Sequence, residues 1–83
     1  MRISYSSAPL LDPYPELEGL VVHLNSASQE ELEQLPGIGP AKAKDIRAYI
    51  RVYGRITRLE QLLEVDGIGE KTLENIRPYL SLD

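Results

Sequence analysis

The sequence feature that most constrains the fold is a Gly-Ile-Gly turn that occurs twice, thirty residues apart. The first copy lies in residues 35–39 (LPGIG) and the second in residues 65–69 (VDGIG). In each copy the first glycine can adopt a positive φ and reverse the chain. The isoleucine can anchor the turn in the core, and an amphipathic helical pattern follows the second glycine. The repeat therefore predicts two helix-turn-helix hairpins of the same build.

The second glycine of each turn stands where a helix is expected to begin. The first backbone N–H groups of a helix have no intrahelical acceptor, and the helix dipole is positive there. Because Gly39 and Gly69 carry no side chain, a phosphate can approach these N–H groups directly. Glycine is also common where helices merely end, so the turns could be plain connectors. Two copies in phase favour phosphate binding.

Caps and prolines set the expected helix boundaries in the first hairpin. Ser28 and Glu31 have capping-box spacing, which predicts a helix that begins after Ser28 and stops at Pro36. Pro40 suits the first position of the next helix, where its missing N–H costs nothing. Gly54 is expected to end that helix.

The sequence offers two candidate cap residues for the start of the second hairpin. Thr57 and Glu60 have capping-box spacing, whereas the thirty-residue repeat places the cap at Arg58. Pro78 is expected to end or loosen the last helix. The helical period predicts an apolar stripe on each helix. Its members are Leu32, Leu35, Ala43, Ile46, Tyr49, Ile50, Tyr53, Leu59, Leu62, Leu63, Leu73, Ile76 and Leu80.

The chain has 83 residues, enough for one small domain with little room for a catalytic pocket. Residues 1–19 contain three prolines and no helical period, and are expected to form an extended or mobile arm. They show no signal-peptide pattern, and the chain contains no membrane-length apolar run. Residues 20–83 are expected to form the domain, with a short extended segment at 20–24 and hairpins at 28–53 and 57–80. With no cysteine and a single histidine, His23, no metal site is expected.

The net charge of −4 is unevenly distributed. Residues 35–58 carry six basic side chains and one acidic one, for a net charge of +5, while both flanking parts are acidic. A basic block of this kind can bind a polyanion locally. Lys44, Arg47 and Arg51 fall within about 60° of one another on the face of the second helix that is expected to be exposed. They could also be an ordinary solvated face.

Both turns, with Ala43 and Ile46 after the first and Leu73 and Ile76 after the second, resemble the helix-hairpin-helix motif. Together with residues 24–28 (LNSAS) and 76–79 (IRPY), they resemble the DNA-binding domain of the ComEA family of competence proteins. The resemblance covers residues 22–83 and implies an all-α, compact domain of four to five helices, with a SAM-like or RuvA domain 2-like arrangement.

The resemblance also implies non-sequence-specific binding of double-stranded DNA. The candidate DNA-binding residues are Gly37, Ile38, Gly39, Ala41, Lys42, Lys44, Arg47, Arg51, Gly67, Ile68, Gly69 and Lys71. Lys42 and Lys71 lie in the first turns of their helices and are expected to reach the same phosphates as the turn amides. Asp66 and Glu70 flank the second turn and would repel phosphate, so the first hairpin is ranked as the main contact.

Further expectations follow from the family. No cofactor is expected, although turns of this family can hold a monovalent cation, and the carbonyls of Leu35, Gly37, Val65 and Gly67 could do so here. The expected setting is DNA uptake at the periplasmic side of the cell envelope, or the cytoplasm if the chain is complete and unanchored. A monomer is expected, with competence or pilus proteins as further partners and no small-molecule substrate. Catalysis is not expected, because related glycosylases need a second lobe to hold a flipped base.

The alternative is a protein-interaction module. The same tandem fold resembles domains of secretion-system pseudopilus proteins and of a photosystem extrinsic subunit, neither of which needs DNA. The net acidity and the acidic second turn favour this alternative.

Overall fold

The computed structural model describes residues 17–82. It contains three α-helices, two 3₁₀ helices and two short strands in this part of the chain. In chain order these are β1 (Val22–His23), α1 (Gln29–Leu32), α2 (Pro40–Tyr53), η1 (Leu59–Glu64), α3 (Glu70–Ile76), η2 (Arg77–Tyr79) and β2 (Leu80–Ser81). Helices α1 and α2 form the first hairpin, and η1 and α3 form the second. The expected all-α architecture of two tandem hairpins is confirmed.

The two hairpins begin with the same capping interaction, thirty residues apart. The backbone N–H of Ser28 donates to Glu31 Oε1 at 2.8 Å, and the N–H of Arg58 donates to Gln61 Oε1 at 2.9 Å. In the first hairpin the Ser28 hydroxyl also accepts from the N–H of Glu31, which completes the predicted capping box. In the second the cap is Arg58, so the repeat located it correctly and the spacing from Thr57 was misleading.

Helices α2 and α3 begin and end where the sequence predicts, but α1 ends at Leu32 and does not continue to Pro36. The N–H groups of Gln34 and Leu35 donate to carbonyls three residues earlier, so the chain tightens into turns there. Pro40 is the first residue of α2, and Gly54 caps its end with a φ of 88°. Helix α3 stops at Ile76, before Pro78, as predicted. The three-residue helix η2 then turns the chain so that Tyr79 is buried in the core.

Residues related by the repeat form the core. The buried pairs are Leu32 and Leu62, Leu35 and Val65, Ile38 and Ile68, Ala43 and Leu73, Ile46 and Ile76, and Tyr49 and Tyr79. The two turn isoleucines are 3% and 4% exposed, which confirms their predicted role as anchors. The apolar stripes of both hairpins therefore contribute to one hydrophobic core.

Two predicted core residues are in fact exposed. Tyr53 is 72% exposed because it is the last residue of α2, next to the turn at Gly54. Leu63 is 38% exposed because η1 is a 3₁₀ helix. With three residues per turn, Leu59 and Leu62 share a face and Leu63 points away from it.

A two-stranded parallel sheet joins the beginning of the domain to its end. Strand β1 pairs with β2 in the register Val22 to Leu80 and His23 to Ser81. The next residue, Leu24, donates its N–H to the Ser81 carbonyl at 2.8 Å. The segment 20–24 was expected to be extended, but its strand partner was not predicted.

Asn25 ties three distant backbone segments together. Its Oδ1 accepts from the N–H of Ile56 at 2.7 Å, and its Nδ2 donates to the carbonyls of Ile56 and Leu82 at 3.0 and 3.1 Å. Ile56 lies between the hairpins and is fully buried. This one amide therefore satisfies both polar backbone groups of a buried linker residue.

The predicted N-terminal arm, residues 1–19, lies outside the described residues except for its last three positions. Of these, Leu17 packs partly buried against the core and accepts a hydrogen bond from the N–H of Leu20 at 2.8 Å. The proposed domain limits remain a prediction. Within residues 17–82, none of the helices has the length and apolar character needed to cross a membrane.

Candidate nucleic-acid interface

The two Gly-Ile-Gly turns have the same backbone geometry. In both, the isoleucine N–H donates to the carbonyl three residues earlier at 3.1 Å. The preceding glycines, Gly37 and Gly67, have φ values of 80° and 87°. A positive φ at the third position of a four-residue turn is typical of a type II turn, for which glycine is preferred. The N–H groups of Ile38 and Ile68 are therefore used inside the turns and are not donors for a phosphate.

The second glycine of each turn is the N-cap of the following helix. Gly39 and Gly69 have extended backbones, with φ values of −93° and −99°. Their carbonyls accept the first helical hydrogen bonds, from Ala43 at 2.9 Å and from Leu73 at 3.0 Å. A Cβ built on either glycine would meet no other atom within 4 Å. The surface above both helix starts is therefore open to a ligand.

Several backbone donors at these helix starts lack an acceptor among residues 17–82. In the first hairpin they are the N–H groups of Gly39, Ala41 and Lys42, since Pro40 has none. In the second they are the N–H groups of Gly69, Glu70, Lys71 and Thr72. Each set converges on a helix N-terminus, an arrangement suited to an oxyanion.

Lys42 connects the two turns, a role that its position in the sequence did not reveal. Its Nζ donates to the Gly37 carbonyl at 3.3 Å. Its Cε lies 3.2 Å from the point that a Cβ on Gly67 would occupy. One lysine side chain thus contacts both turns, which lie close together on one side of the domain.

The contact between Lys42 and Gly67 leads to a stability prediction. Gly54→Ala and Gly67→Ala each place a side chain at a positive φ, which costs about 1 kcal/mol or more. Only Gly67→Ala also displaces the Lys42 stem. Combined with Lys42→Ala, we expect Gly67→Ala to show a coupling of about 0.5 kcal/mol or more in urea unfolding, as contacting residues do.

Gly54→Ala is the matched control for this cycle, because Gly54 also has a positive φ, a Cβ there meets nothing within 4 Å, and it lies about 18 Å from Lys42 along α2. Its coupling to Lys42→Ala should stay within about 0.3 kcal/mol, the usual error of additivity. Equal coupling at the two glycines would show that Lys42 does not hold the turns together through this contact.

The three basic residues of α2 do not behave alike. Lys44 and Arg51 are exposed, as predicted. Arg47 is half-buried instead, and its guanidinium donates to the Ala27 carbonyl at 2.9 Å. That carbonyl precedes the cap of α1, so Arg47 braces the two helices of the first hairpin. The expectation of a fully exposed Arg47 was wrong, because the helical period gives no information on what packs beside the helix.

The second turn has a more acidic surface than the first. Asp66 precedes its first glycine and Glu70 follows its second, and both are exposed. Lys71 is exposed beside them. The second hairpin thus offers one more backbone donor than the first, but two nearby carboxylates oppose an anion there.

Tyr49 forms a polar contact at the edge of the core. Its hydroxyl donates to Glu64 Oε1 at 2.9 Å, and its ring lies 4.8 Å from the ring of Tyr53. The hydrogen bond with Gln61 lowers the pKa of Tyr49, but the adjacent Glu64 carboxylate and desolvation together outweigh it. The pKa is therefore raised above its ordinary value.

No cluster of metal-ligating side chains occurs within residues 17–82. The carbonyls expected to hold a monovalent cation in the first turn are already engaged. Leu35 accepts from Ile38, and Gly37 accepts from the Lys42 ammonium. A lysine charge thus stands where the cation would bind in that turn, so the first turn is a poor fit for one.

The sequence of the domain matches known proteins. Residues 18–81 match the family described as the helix-hairpin-helix motif. ComE operon protein 1 of Bacillus subtilis is 40% identical over 65 residues, which is 78% of this chain and 32% of that protein. An uncharacterized protein of Haemophilus influenzae is 44% identical over 57 residues, 68% of this chain and 51% of that protein.

A mouse protein, endonuclease/exonuclease/phosphatase family domain-containing protein 1, is 36% identical over 56 residues. These cover 68% of this chain but only 10% of that protein. The chain thus spans about a third to a half of the first two relatives and a small part of the third. The family match nevertheless includes both turns, both hairpins and the strand that closes the domain. The chain belongs to the helix-hairpin-helix family, as a tandem domain of the ComEA type.

Proposed function

We propose that the domain binds double-stranded DNA without sequence preference, through the backbone amides that follow its two turns. The observation that carries this proposal is the pair of open helix starts at Gly39 and Gly69, held close together by Lys42. Two unobstructed sets of amides on one side can hold two phosphates of one duplex. Contacts with phosphates position a protein on DNA but do not read its bases.

Basic side chains supplement the amides to different extents. Lys44 lies five residues into the helix beyond Gly39 and is exposed, so it can reach the same phosphate region. Arg51 lies about 18 Å from Gly39 along the helix axis, at 1.5 Å per residue. It would therefore contact a different phosphate. Arg47 retains free guanidinium donors but is held by Ala27, and Lys71 serves the second turn.

The first hairpin is proposed as the stronger contact. Its turn and its second helix lie in the basic block of residues 35–58, and Lys42 places its charge on the turn itself. The second hairpin has free amides, but Asp66 and Glu70 reduce its attraction for phosphate. The two sites are thus similar in backbone geometry and differ in electrostatics.

The proposed role is binding without catalysis. The match to the mouse protein named for an endonuclease/exonuclease/phosphatase domain covers 10% of that protein, so the match says nothing about the remaining 90%. By the ComEA resemblance we assign the domain to DNA uptake during natural transformation, at the periplasmic side of the cell envelope. We propose that it acts as a monomer, with DNA as its main partner.

Salt dependence tests the proposed mechanism directly. If three or four phosphates are neutralised, the slope of log affinity against log salt concentration should be about −3, because each contributes about −0.9. We expect polarisation titrations with two unrelated duplexes to give the same slope and similar affinities. A flat salt dependence, or a preference for one duplex by orders of magnitude, would contradict the proposal.

The alternative is a protein-interaction module in an envelope assembly. The net charge of −4 and the acidic second turn favour it. It predicts no measurable affinity for random duplex even at low salt, so the same titration separates the two functions.

A further inference from the structure

An open groove runs between the C-terminal half of α2 and the entry to the second turn. Its volume is about 340 Å³, at the lower end of the range of about 300–1,000 Å³ for ligand pockets. Two of its apolar residues, Val52 and Tyr53, are 70% and 72% exposed. They are the most exposed large hydrophobic residues among residues 17–82. Within the part of the chain that the structure describes, the tandem fold leaves these two side chains exposed.

The charged residues that line the groove are all acidic. Asp45, Glu64 and Asp66 line it, and no lysine or arginine of residues 17–82 does. Tyr49 and Tyr53 pack against each other at 42° beside these carboxylates, and the Tyr49 hydroxyl donates to Glu64. The groove therefore combines one exposed aromatic ring, that of Tyr53, with negative charge, the two features that attract an organic cation.

This surface is unsuited to DNA. A phosphate placed in the groove would meet three carboxylates with no compensating cation among the lining residues. The same Asp66 weakens the second turn as a phosphate site. The groove and the amide surface thus have opposite charge preferences, and the groove favours a cationic ligand.

We propose that this groove is a docking site for an arginine- or lysine-bearing segment of a partner protein. The aliphatic stem of the basic side chain would lie on Val52 and Tyr53, and its head would bind the carboxylates of Asp45 and Asp66. Long basic side chains are suited to such a site because the stem is apolar and only the head is charged. The proposal does not depend on whether the domain binds DNA.

The test is an NMR titration of the full chain, labelled with ¹⁵N, with two short peptides. One peptide contains two arginines separated by a leucine, and the other replaces both arginines by citrulline, which has the same shape without the charge. We expect only the arginine peptide to shift the amide signals of the groove residues, in a salt-dependent way. No shift in the groove, or equal shifts with citrulline, would overturn the proposal.

Variants distinguish binding of the peptide at the groove from a general attraction of the peptide to an acidic protein. Asp45→Asn combined with Asp66→Asn should weaken binding of the arginine peptide about tenfold, and Tyr53→Ala about threefold, as expected for an exposed cation–π contact. Glu18→Gln combined with Glu30→Gln removes the same number of exposed charges elsewhere and should leave affinity within about twofold. Equal weakening by the two double variants would show attraction to the overall charge and overturn the proposal.

Two other occupants would also be revealed by this experiment. Groove signals that shift with protein concentration, in the absence of peptide, would identify a second copy of the chain as the occupant. Groove signals that shift with duplex DNA as strongly as those of the turn amides would place the groove on the DNA-binding face. Either result would overturn the assignment to a basic partner segment.

Discussion

Replacing Asn25 by alanine should lower the free energy of unfolding by about 3 kcal/mol, since it removes three hydrogen bonds of about 1 kcal/mol each. The reason is that the N–H and carbonyl of Ile56 would be left without partners in a fully buried linker. In a domain of this size, the loss corresponds to a fall in Tm of about 15 °C. Thermal unfolding monitored by circular dichroism measures it.

Two further variants sharpen this prediction. Asn25→Asp keeps an acceptor for the Ile56 N–H but places a carboxylate oxygen against the carbonyls of Ile56 and Leu82, so it should also destabilise. Asn75→Ala is the control, because Asn75 has no side-chain hydrogen bond to another of residues 17–82. It should change stability by no more than about 0.5 kcal/mol. Equal effects at the two asparagines would show that the Asn25 bonds do not hold the domain together.

Adding a side chain at Gly39 should weaken duplex binding more than removing a single exposed charge. In Gly39→Val the branched side chain occupies the space through which a phosphate must approach the amides of Gly39, Ala41 and Lys42. Charge-assisted hydrogen bonds contribute about 2 kcal/mol, so the affinity should fall about 30-fold. Gly69→Val and Lys44→Ala should each cost about threefold, the former because Asp66 and Glu70 already weaken that site.

The structure indicates that the affinities of the two valine variants can be compared directly. Neither Gly39 nor Gly69 has a positive φ, and a Cβ at either would meet nothing within 4 Å. Both variants should therefore fold, with a loss of about 1 kcal/mol for a poorer N-cap, which circular dichroism can verify. Equal losses of affinity at the two glycines would contradict the ranking of the hairpins. No loss at either, in folded protein that still binds, would assign the interface to Lys44 and the other basic side chains alone.

The local features of both hairpins could be predicted from the sequence alone. The positive φ at Gly37 and Gly67, the helix start at Pro40 and the cap at Ser28 each depend on residues a few positions apart. Such features follow from backbone sterics and from hydrogen bonds between residues that are close in sequence. The thirty-residue repeat also located the cap at Arg58, which the capping-box spacing from Thr57 did not.

Contacts between distant segments were decided only by the tertiary structure. Lys42 reaches across to Gly67, Arg47 is held by Ala27, and Asn25 joins segments 31 and 57 residues away. The exposure of Tyr53, and with it the acidic groove, likewise depends on where α2 ends relative to the second hairpin. A side-chain period specifies which face of a helix is apolar. It does not specify which backbone group or which neighbouring turn lies within reach of a long side chain, because that depends on how the two hairpins pack.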